Sequence, residues 1–217
     1  MRALVAWSGG KDAAWALHLA RALGIEVAGL LTTMAGDRVA MHDVRTALIE
    51  AQAAAAALPL WKVAVPWPCP NAQYEAALHD ALRRARKDGI GTVVFGDLFL
   101  ADIRAYRESL LAGTGIDPLF PLWGKDTRAL AAEMAAGGLR ATLVCVDLAR
   151  LPARLAGREF DAALLAELPP ECDPCGENGE FHTFAWRGPM FGAALAVKRG
   201  AVEERGGYAF ADLLPAE

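Results

Sequence analysis

The chain has 217 residues, of which 54% are hydrophobic and 22% charged, and its net charge at pH 7 is −4. This apolar content is enough for a buried core and excludes a disordered chain. The excess of acidic residues argues against nucleic acid as the partner, because a long contact with a nucleic-acid backbone depends on neutralising its phosphates.

The sequence contains no apolar run that is long enough to cross a bilayer, and its first apolar run ends at Ser8, too early for a signal peptide. We therefore expect a cytoplasmic protein without membrane contact. The 4 cysteines are not expected to form a disulfide framework in such a protein.

Short apolar runs alternate with segments of helical periodicity in the first half of the chain. Such runs are typical of buried parallel strands, and such segments are typical of the helices that cover both faces of the sheet. The pattern predicts an α/β domain with a Rossmann-like parallel sheet, whose ligands lie at the carboxyl ends of the strands. The predicted elements are strands at 4–7, 27–32, 61–65 and 92–95 and helices at 12–23, 43–58 and 71–87.

The second half of the chain loses this alternation after residue 147. Helices are predicted at 98–112 and 127–136 and a strand at 140–146, before a segment that is rich in proline and glycine. Short strands are predicted at 193–198 and 208–210. We therefore predict two domains, a sheet domain at residues 1–97 and a smaller α+β domain at residues 98–217.

The strongest chemical signal is the segment Ser8-Gly9-Gly10-Lys11-Asp12, which joins the first strand to the first helix. Glycines allow backbone N–H groups to approach a phosphate closely, and the helix that follows adds the positive end of its dipole. Ser8 adds a hydroxyl donor and Lys11 a mobile cation. The spacing differs from the Walker A pattern, in which the lysine is followed by serine or threonine. We interpret the segment as a phosphate-binding loop, although an ordinary tight turn with a surface lysine is the alternative.

This loop resembles the motif of the PP-loop ATP pyrophosphatases. The resemblance implies a Rossmann-like domain of the HUP type that cleaves ATP between its α- and β-phosphates and adenylates an oxygen of the substrate. A nitrogen or sulfur nucleophile then displaces AMP. The usual motif ends in serine or threonine, whereas this chain has Ala13, so that one hydroxyl contact to phosphate is absent.

Further stretches resemble one branch of this superfamily, the diphthine–ammonia ligase type, and they follow in the same order along the chain. The resemblance implies a ligase that forms an amide from a carboxylate and ammonia, with ATP and Mg²⁺ as cofactors. The stretches are His42 with Gln52 and Pro59, then Gly96-Asp97-Leu98 with Arg104 and Glu108, then 121–126, 173–184 and 188–191.

The first domain is then the ATP-binding domain and the second the substrate-binding domain. The loop is expected to hold the leaving pyrophosphate, with Asp12 helping to place Mg²⁺, and the residues after the fourth strand are expected to organise the nucleotide or the substrate. The expected cofactor-binding residues are Ser8, Gly9, Gly10, Lys11, Asp12, Gly96, Asp97 and Arg104.

A glycine-flanked turn in the second domain presents Glu177 and Glu180, followed by His182. The carboxylates could orient ammonia, take its proton or hold Mg²⁺, and His182 could act as a base near neutral pH. Together with Lys11, these three residues are the expected catalytic residues. A solvated acidic turn that His182 holds through a hydrogen bond is the alternative.

Cys172 and Cys175 lie next to this turn and offer three potential zinc ligands together with His182. A structural zinc site needs four ligands, so we expect free thiols and no protein-bound metal centre. A redox or thiolation role for the pair is the alternative.

Two other functions stay open. A PP-loop ATP pyrophosphatase that modifies tRNA or a small molecule would use the same loop, but tRNA would require a basic surface or an added RNA-binding module. A non-catalytic adenine-nucleotide-binding regulator would not need the glutamate-rich turn. The expected partners are ATP, ammonia and a carboxylate acceptor, either a small molecule or a protein side chain, and a homodimer is one option for the quaternary structure.

Overall fold

The protein is described by a computed structural model that covers residues 1–39, 44–66 and 68–216. The strands of its first sheet are β1 (Arg2–Ala6), β2 (Glu26–Ala35), β3 (Arg38–Val39), β4 (Leu60–Ala64), β5 (Thr92–Val94) and β6 (Asp117–Leu119). Parallel strands follow one another across the sheet in the order β4-β2-β1-β5-β6, and β3 pairs antiparallel with the end of β2. The strand order reverses between β1 and β5, which is where such sheets bind ligands.

Successive strand residues point to opposite sides of the sheet, so that both of its faces carry apolar side chains. Helices cover both faces. In β1, Ala3 and Val5 belong to one apolar core and Leu4 to another. Residues of α1, α2 and α5 pack in the first core, and residues of α3 and α4 pack in the second. The helices are α1 (Lys11–Ala22), α2 (Thr46–Ala55), α3 (Asn71–Lys87), α4 (Ala101–Leu111), α5 (Thr127–Ala136) and α6 (Ala162–Glu167).

The second sheet is antiparallel, in the order β8-β7-β10-β9. Several of its buried apolar residues, among them Phe181 and Phe184, belong to the same core as α1 and one face of β1. The two sheets are therefore joined by a continuous apolar interior. The strands are β7 (Arg140–Asp147), β8 (Phe181–Arg187), β9 (Val197–Arg205) and β10 (Tyr208–Pro215), and a 3-10 turn covers Ala153–Leu155.

The predicted fold class is confirmed: a parallel sheet with helices on both faces is followed by a smaller antiparallel part. The sequence pattern did not predict β3, β6, β8 or α6. The strand predicted at 193–198 was wrong in its bounds, since β9 runs over Val197–Arg205. The division at residue 97 stays a prediction, but the first sheet continues beyond it because β6 pairs with β5.

Within the described residues, none of the helices is both long enough and apolar enough to span a membrane.

Candidate active site

A cavity of about 320 Å³ lies at the carboxyl ends of β1 and β5. The two predicted strand-end segments share this cavity, and the glutamate-rich turn of the second half of the chain forms a further part of its wall. Its lining includes the predicted residues Ser8, Gly10, Lys11, Asp12, Gly96, Asp97, Glu177 and His182.

The loop between β1 and α1 is tied to the second sheet. Gly9 has a φ of +81°, and a Cβ there would lie 2.6 Å from Cδ1 of Ile49. The Gly9 carbonyl accepts hydrogen bonds from Ala185 N at 2.9 Å and from Gln52 Nε2 at 2.9 Å. Because Gln52 is fully buried and also accepts from Trp7 Nε1 at 2.8 Å, it fixes the loop between α2 and β8.

Lys11 is buried, with a relative exposure of 2%, and is not the mobile cation that the sequence predicted. Its Nζ lies 2.9 Å from Oδ2 of Asp12, donates to the Cys175 carbonyl and lies over the rings of Phe160 and Phe181. Burial by itself lowers the pKa of Lys11, but the Asp12 carboxylate, together with Cys175 and Glu177, outweighs it, so that the pKa is raised above its usual value. The ammonium is therefore kept charged at the base of the loop.

The two carboxylate oxygens of Asp12 differ in their contacts. Oδ2 pairs with Lys11, whereas Oδ1 is buried without a hydrogen-bond partner in the described part of the chain. A buried acceptor without a partner is costly unless a ligand or ion satisfies it. Oδ1 of Asp12 is thus a candidate contact for a cation in the cavity.

Gly96 is required by close packing between β5 and the first turn of α1. A Cβ at this position would lie 2.9 Å from Ala13 N and 2.9 Å from the carbonyl carbon of Asp12, and both are backbone atoms that cannot turn aside. Asp97 follows in the cavity wall, where burial raises its pKa and the nearby Arg107 opposes that rise.

Glu177 reaches from the second half of the chain to the end of β5. Its Oε1 accepts from Leu98 N at 2.7 Å, and its own N–H donates to Asp173 Oδ2 at 2.9 Å. Burial, together with the Asp12 and Asp97 carboxylates, raises the pKa of Glu177 to about 7 although the Leu98 hydrogen bond opposes this. A carboxyl that exchanges its proton near neutral pH is suited to general acid–base chemistry.

Glu180 does not line the cavity. Its side chain is 2% exposed, and Oε1 accepts from Asp173 N and Asn178 Nδ2, each at 3.1 Å. Arg150 lies 3.5 Å from the same oxygen. Glu180 therefore holds the turn that carries Glu177, and its direct catalytic role stays a prediction.

His182 lines the cavity, but its environment is unfavourable for a base at neutral pH. Burial, together with the charge of Lys11, lowers the pKa of His182 to about 4. The imidazole is therefore neutral near pH 7 and accepts a proton only weakly. Its neighbour Thr183, which the sequence did not single out, accepts from the backbone N–H of Lys11 at 3.0 Å.

The arginine that enters the cavity is Arg107 and not the predicted Arg104. Arg104 pairs with Glu108 at 2.7 Å and lies over the rings of Phe120 and Trp123, outside the lining of the cavity. Arg107, one turn later on α4, is part of that lining. Helical spacing could have indicated this position in the sequence. Arg107 precedes the buried residues Leu110 and Leu111 by three and four positions and so shares their helix face.

Cys172 and Cys175 are both buried and are free cysteines. Burial, with neighbouring carboxylates, raises the pKa of Cys172 to about 12, and burial also raises the pKa of Cys175 to about 12 although Lys11 opposes it. Such thiols are poor nucleophiles. Among the described residues, no three side chains of His, Cys, Asp or Glu gather as a metal site. His42, named in the first of the similar stretches, lies outside the described residues.

Taken together, a parallel sheet with its switch point at β1 and β5 and a glycine loop before α1 define an α/β nucleotide-binding protein of the PP-loop type. A family model described as the diphthamide synthase N-terminal domain matches residues 1–118. The chain therefore belongs to this family, and the resemblance found in the sequence is confirmed.

A diphthine–ammonia ligase of Danio rerio is 25% identical over 220 residues, which cover 91% of this chain and 86% of the relative. A solved structure described as a predicted subunit of a tRNA methyltransferase from Methanocaldococcus jannaschii is 17% identical. The match covers 66% of this chain and 80% of the chain in that structure, with a TM-score of 0.46.

Proposed function

We propose that the protein is an ATP-dependent ligase that adenylates a carboxylate, releases pyrophosphate and then transfers ammonia to form an amide. The observation that supports this most directly is the shared cavity, whose lining brings residues of the loop 8–12 together with Asp97 and Glu177. A nucleotide bound by the loop would lie next to a carboxyl whose pKa is about 7. The similarity to a diphthine–ammonia ligase supports the same class of reaction.

In the first step, an oxygen of the acceptor carboxylate attacks the α-phosphorus of ATP, and the bond between the α-phosphorus and the bridging oxygen breaks. The pyrophosphate that leaves gains negative charge, which fixed donors at the loop stabilise. The start of α1 supplies part of this stabilisation through its dipole. Lys11 contributes from its buried position beneath the loop.

In the second step, ammonia attacks the acyl carbon and AMP leaves with the electron pair of the broken bond. The nitrogen must lose a proton as the amide forms. Glu177 is the candidate acceptor for that proton, because its carboxyl lines the cavity and its pKa of about 7 lies near the working pH. Glu180 acts on this step indirectly, by holding the turn.

The residues present also fit Mg²⁺. In nucleotide sites this ion is usually held by one or two carboxylates together with phosphate oxygens, so it does not require a cage of protein ligands. The buried and unpartnered Oδ1 of Asp12 is a suitable oxygen, and Asp97 lines the same cavity. When bound, the ion would neutralise charge on the phosphates.

The products formed from ATP test this function. The protein is incubated with ATP, Mg²⁺ and ammonium chloride, with and without a panel of carboxylic acids, and the nucleotides are separated by chromatography. We expect AMP and pyrophosphate, with a rate that depends on the acid and on ammonium. ADP and phosphate as the main products would contradict the proposal, and bound but intact ATP under all conditions would instead favour a nucleotide-binding regulator.

A further inference from the structure

Apart from a bound Mg²⁺, the side chains around the cavity offer little positive charge to a polyphosphate. The ionisable side chains in its lining include the carboxyls of Asp12, Asp97 and Glu177 and the cations Lys11 and Arg107. Lys11 is already engaged by Asp12 and by the Cys175 carbonyl. ATP is itself strongly anionic, so in the described lining Arg107 is the cation left to oppose its charge.

Arg107 is held in place but incompletely bonded. Its guanidinium lies over the ring of Phe95 at 5.3 Å, and that ring stacks on Phe120 with a centroid distance of 5.4 Å. Nε lies 3.7 Å from Oδ2 of Asp97, which is an ion pair but too long for a hydrogen bond. Within the described residues Nε is buried and has no hydrogen-bond partner.

A guanidinium in this state is ready for an anionic ligand. The aromatic face fixes its plane without using its N–H donors, and the loose contact with Asp97 leaves donors for oxygens in the cavity. Planar N–H pairs of this kind match phosphate oxygens, and such charged hydrogen bonds are stronger than neutral ones.

We propose that Arg107, which lines the cavity from α4, binds a phosphate oxygen of the nucleotide. This inference rests on the proposed use of ATP, and it adds a positioning residue for the polyphosphate that the sequence did not identify.

The test measures binding without turnover. Affinities of the wild-type protein, Arg107→Gln and Arg107→Lys are determined by calorimetry for α,β-methylene-ATP, AMP and adenosine. Arg83→Gln is the matched control, because Arg83 is an exposed arginine on α3 that pairs with Asp80 outside the cavity lining. We expect Arg107→Gln to weaken binding of the ATP analogue by about 10- to 100-fold, with adenosine unchanged.

Arg107→Lys is expected to recover part of the lost affinity, since it keeps the charge but not the planar pair of donors. An equal loss for adenosine and the ATP analogue would overturn the proposal, because it would show a general effect on the pocket. An unchanged affinity for the analogue in both variants would also overturn it and would suggest that Arg107 contacts the carboxylate acceptor instead. Since the readout is binding, a protein that binds ATP but forms no AMP would contradict the proposed function and leave this inference intact.

Discussion

At the scale of single residues, Glu177 links the two halves of the chain, and the pKa of its carboxyl is raised toward neutral pH. Burial raises its pKa from 4.5 to about 7, while the hydrogen bond from Leu98 opposes the change. If the carboxylate form accepts a proton from the attacking nitrogen, the rate of amide formation rises with pH through about 7.

We expect Glu177→Gln to lose this rise and to lower turnover by about 10²- to 10⁴-fold, the usual contribution of a general base. Glu171→Gln, an exposed neighbour on the same segment, is the control and keeps the wild-type profile. Pyrophosphate release and amide formation, measured between pH 5.5 and 8.5 (roughly the range that spans the expected ionisation), distinguish the cases. A wild-type profile in Glu177→Gln would remove this carboxyl from the mechanism.

The same shift has a consequence for stability. The folded state binds the proton of Glu177 more tightly than the unfolded state, so this contribution is fully present below the unfolded pKa near 4.5 and is lost as pH rises through about 7. The amide of Gln keeps an acceptor for Leu98 and mimics the protonated form. The free energy of unfolding of Glu177→Gln should therefore fall less between these two pH values than that of the wild type.

The residue scale also shows what a sequence can reveal about the site. The phosphate-binding loop could be predicted, because it depends on neighbours in the chain: a strand, two glycines and a helix start. The burial of Lys11 could not, since it depends on the Cys175 carbonyl and on Phe160 and Phe181, more than a hundred residues away. Long-range contacts of this kind leave no local pattern.

At the scale of elements, the close approach of β5 to α1 decides the shape of the cavity. Gly96 and Gly91 flank β5 at opposite ends, and they differ in what a methyl group would meet. At Gly96 it would lie 2.9 Å from backbone atoms of Asp12 and Ala13, whereas at Gly91 its nearest neighbour is Nη1 of Arg86 at 3.8 Å.

We expect Gly96→Ala to lower the free energy of unfolding by about 1–3 kcal/mol, the usual cost of overpacking, and to weaken ATP binding because the first turn of α1 must move. Gly91→Ala is the matched control and should leave both quantities nearly unchanged. Urea denaturation and ATP titration on the two variants check this. Equal behaviour of the two variants would mean that β5 and α1 separate easily.

The elements differ in how well the sequence predicted them. β1, β2, β4 and β5 are mostly apolar runs that end at turn residues, and this pattern is strong. β8 was missed because its residues Phe181–Arg187 follow a segment rich in glycine and proline and carry His182 and Thr183 among the apolar positions. β6 has three residues, one of them Pro118, and this is too short for a periodic signal.

At the scale of the whole molecule, the two sheets are physically coupled through the loop. Ala185 of β8 donates to the Gly9 carbonyl at 2.9 Å, and Gln52 Nε2 bridges to the Ala185 carbonyl at 2.6 Å. The backbone N–H of Lys11 donates to Thr183. A loop that takes its shape from β8 cannot keep that shape if the second sheet unfolds alone.

We therefore expect the chain to unfold in one cooperative transition, although its architecture has two sheets. Hydrogen exchange of the backbone amides of Val5 in β1 and Val144 in β7, followed across a urea gradient, should report the same free energy of opening. ATP at about 100 times its Kd should raise both values together by about 2.7 kcal/mol, because a ligand of the folded state stabilises everything that unfolds with its site. ATP protection that is confined to β1, or a β7 that opens at lower urea, would show that the sheets are independent. The apolar core that they share, with Val5 and Val144 both buried in it, makes the coupled outcome the expected one.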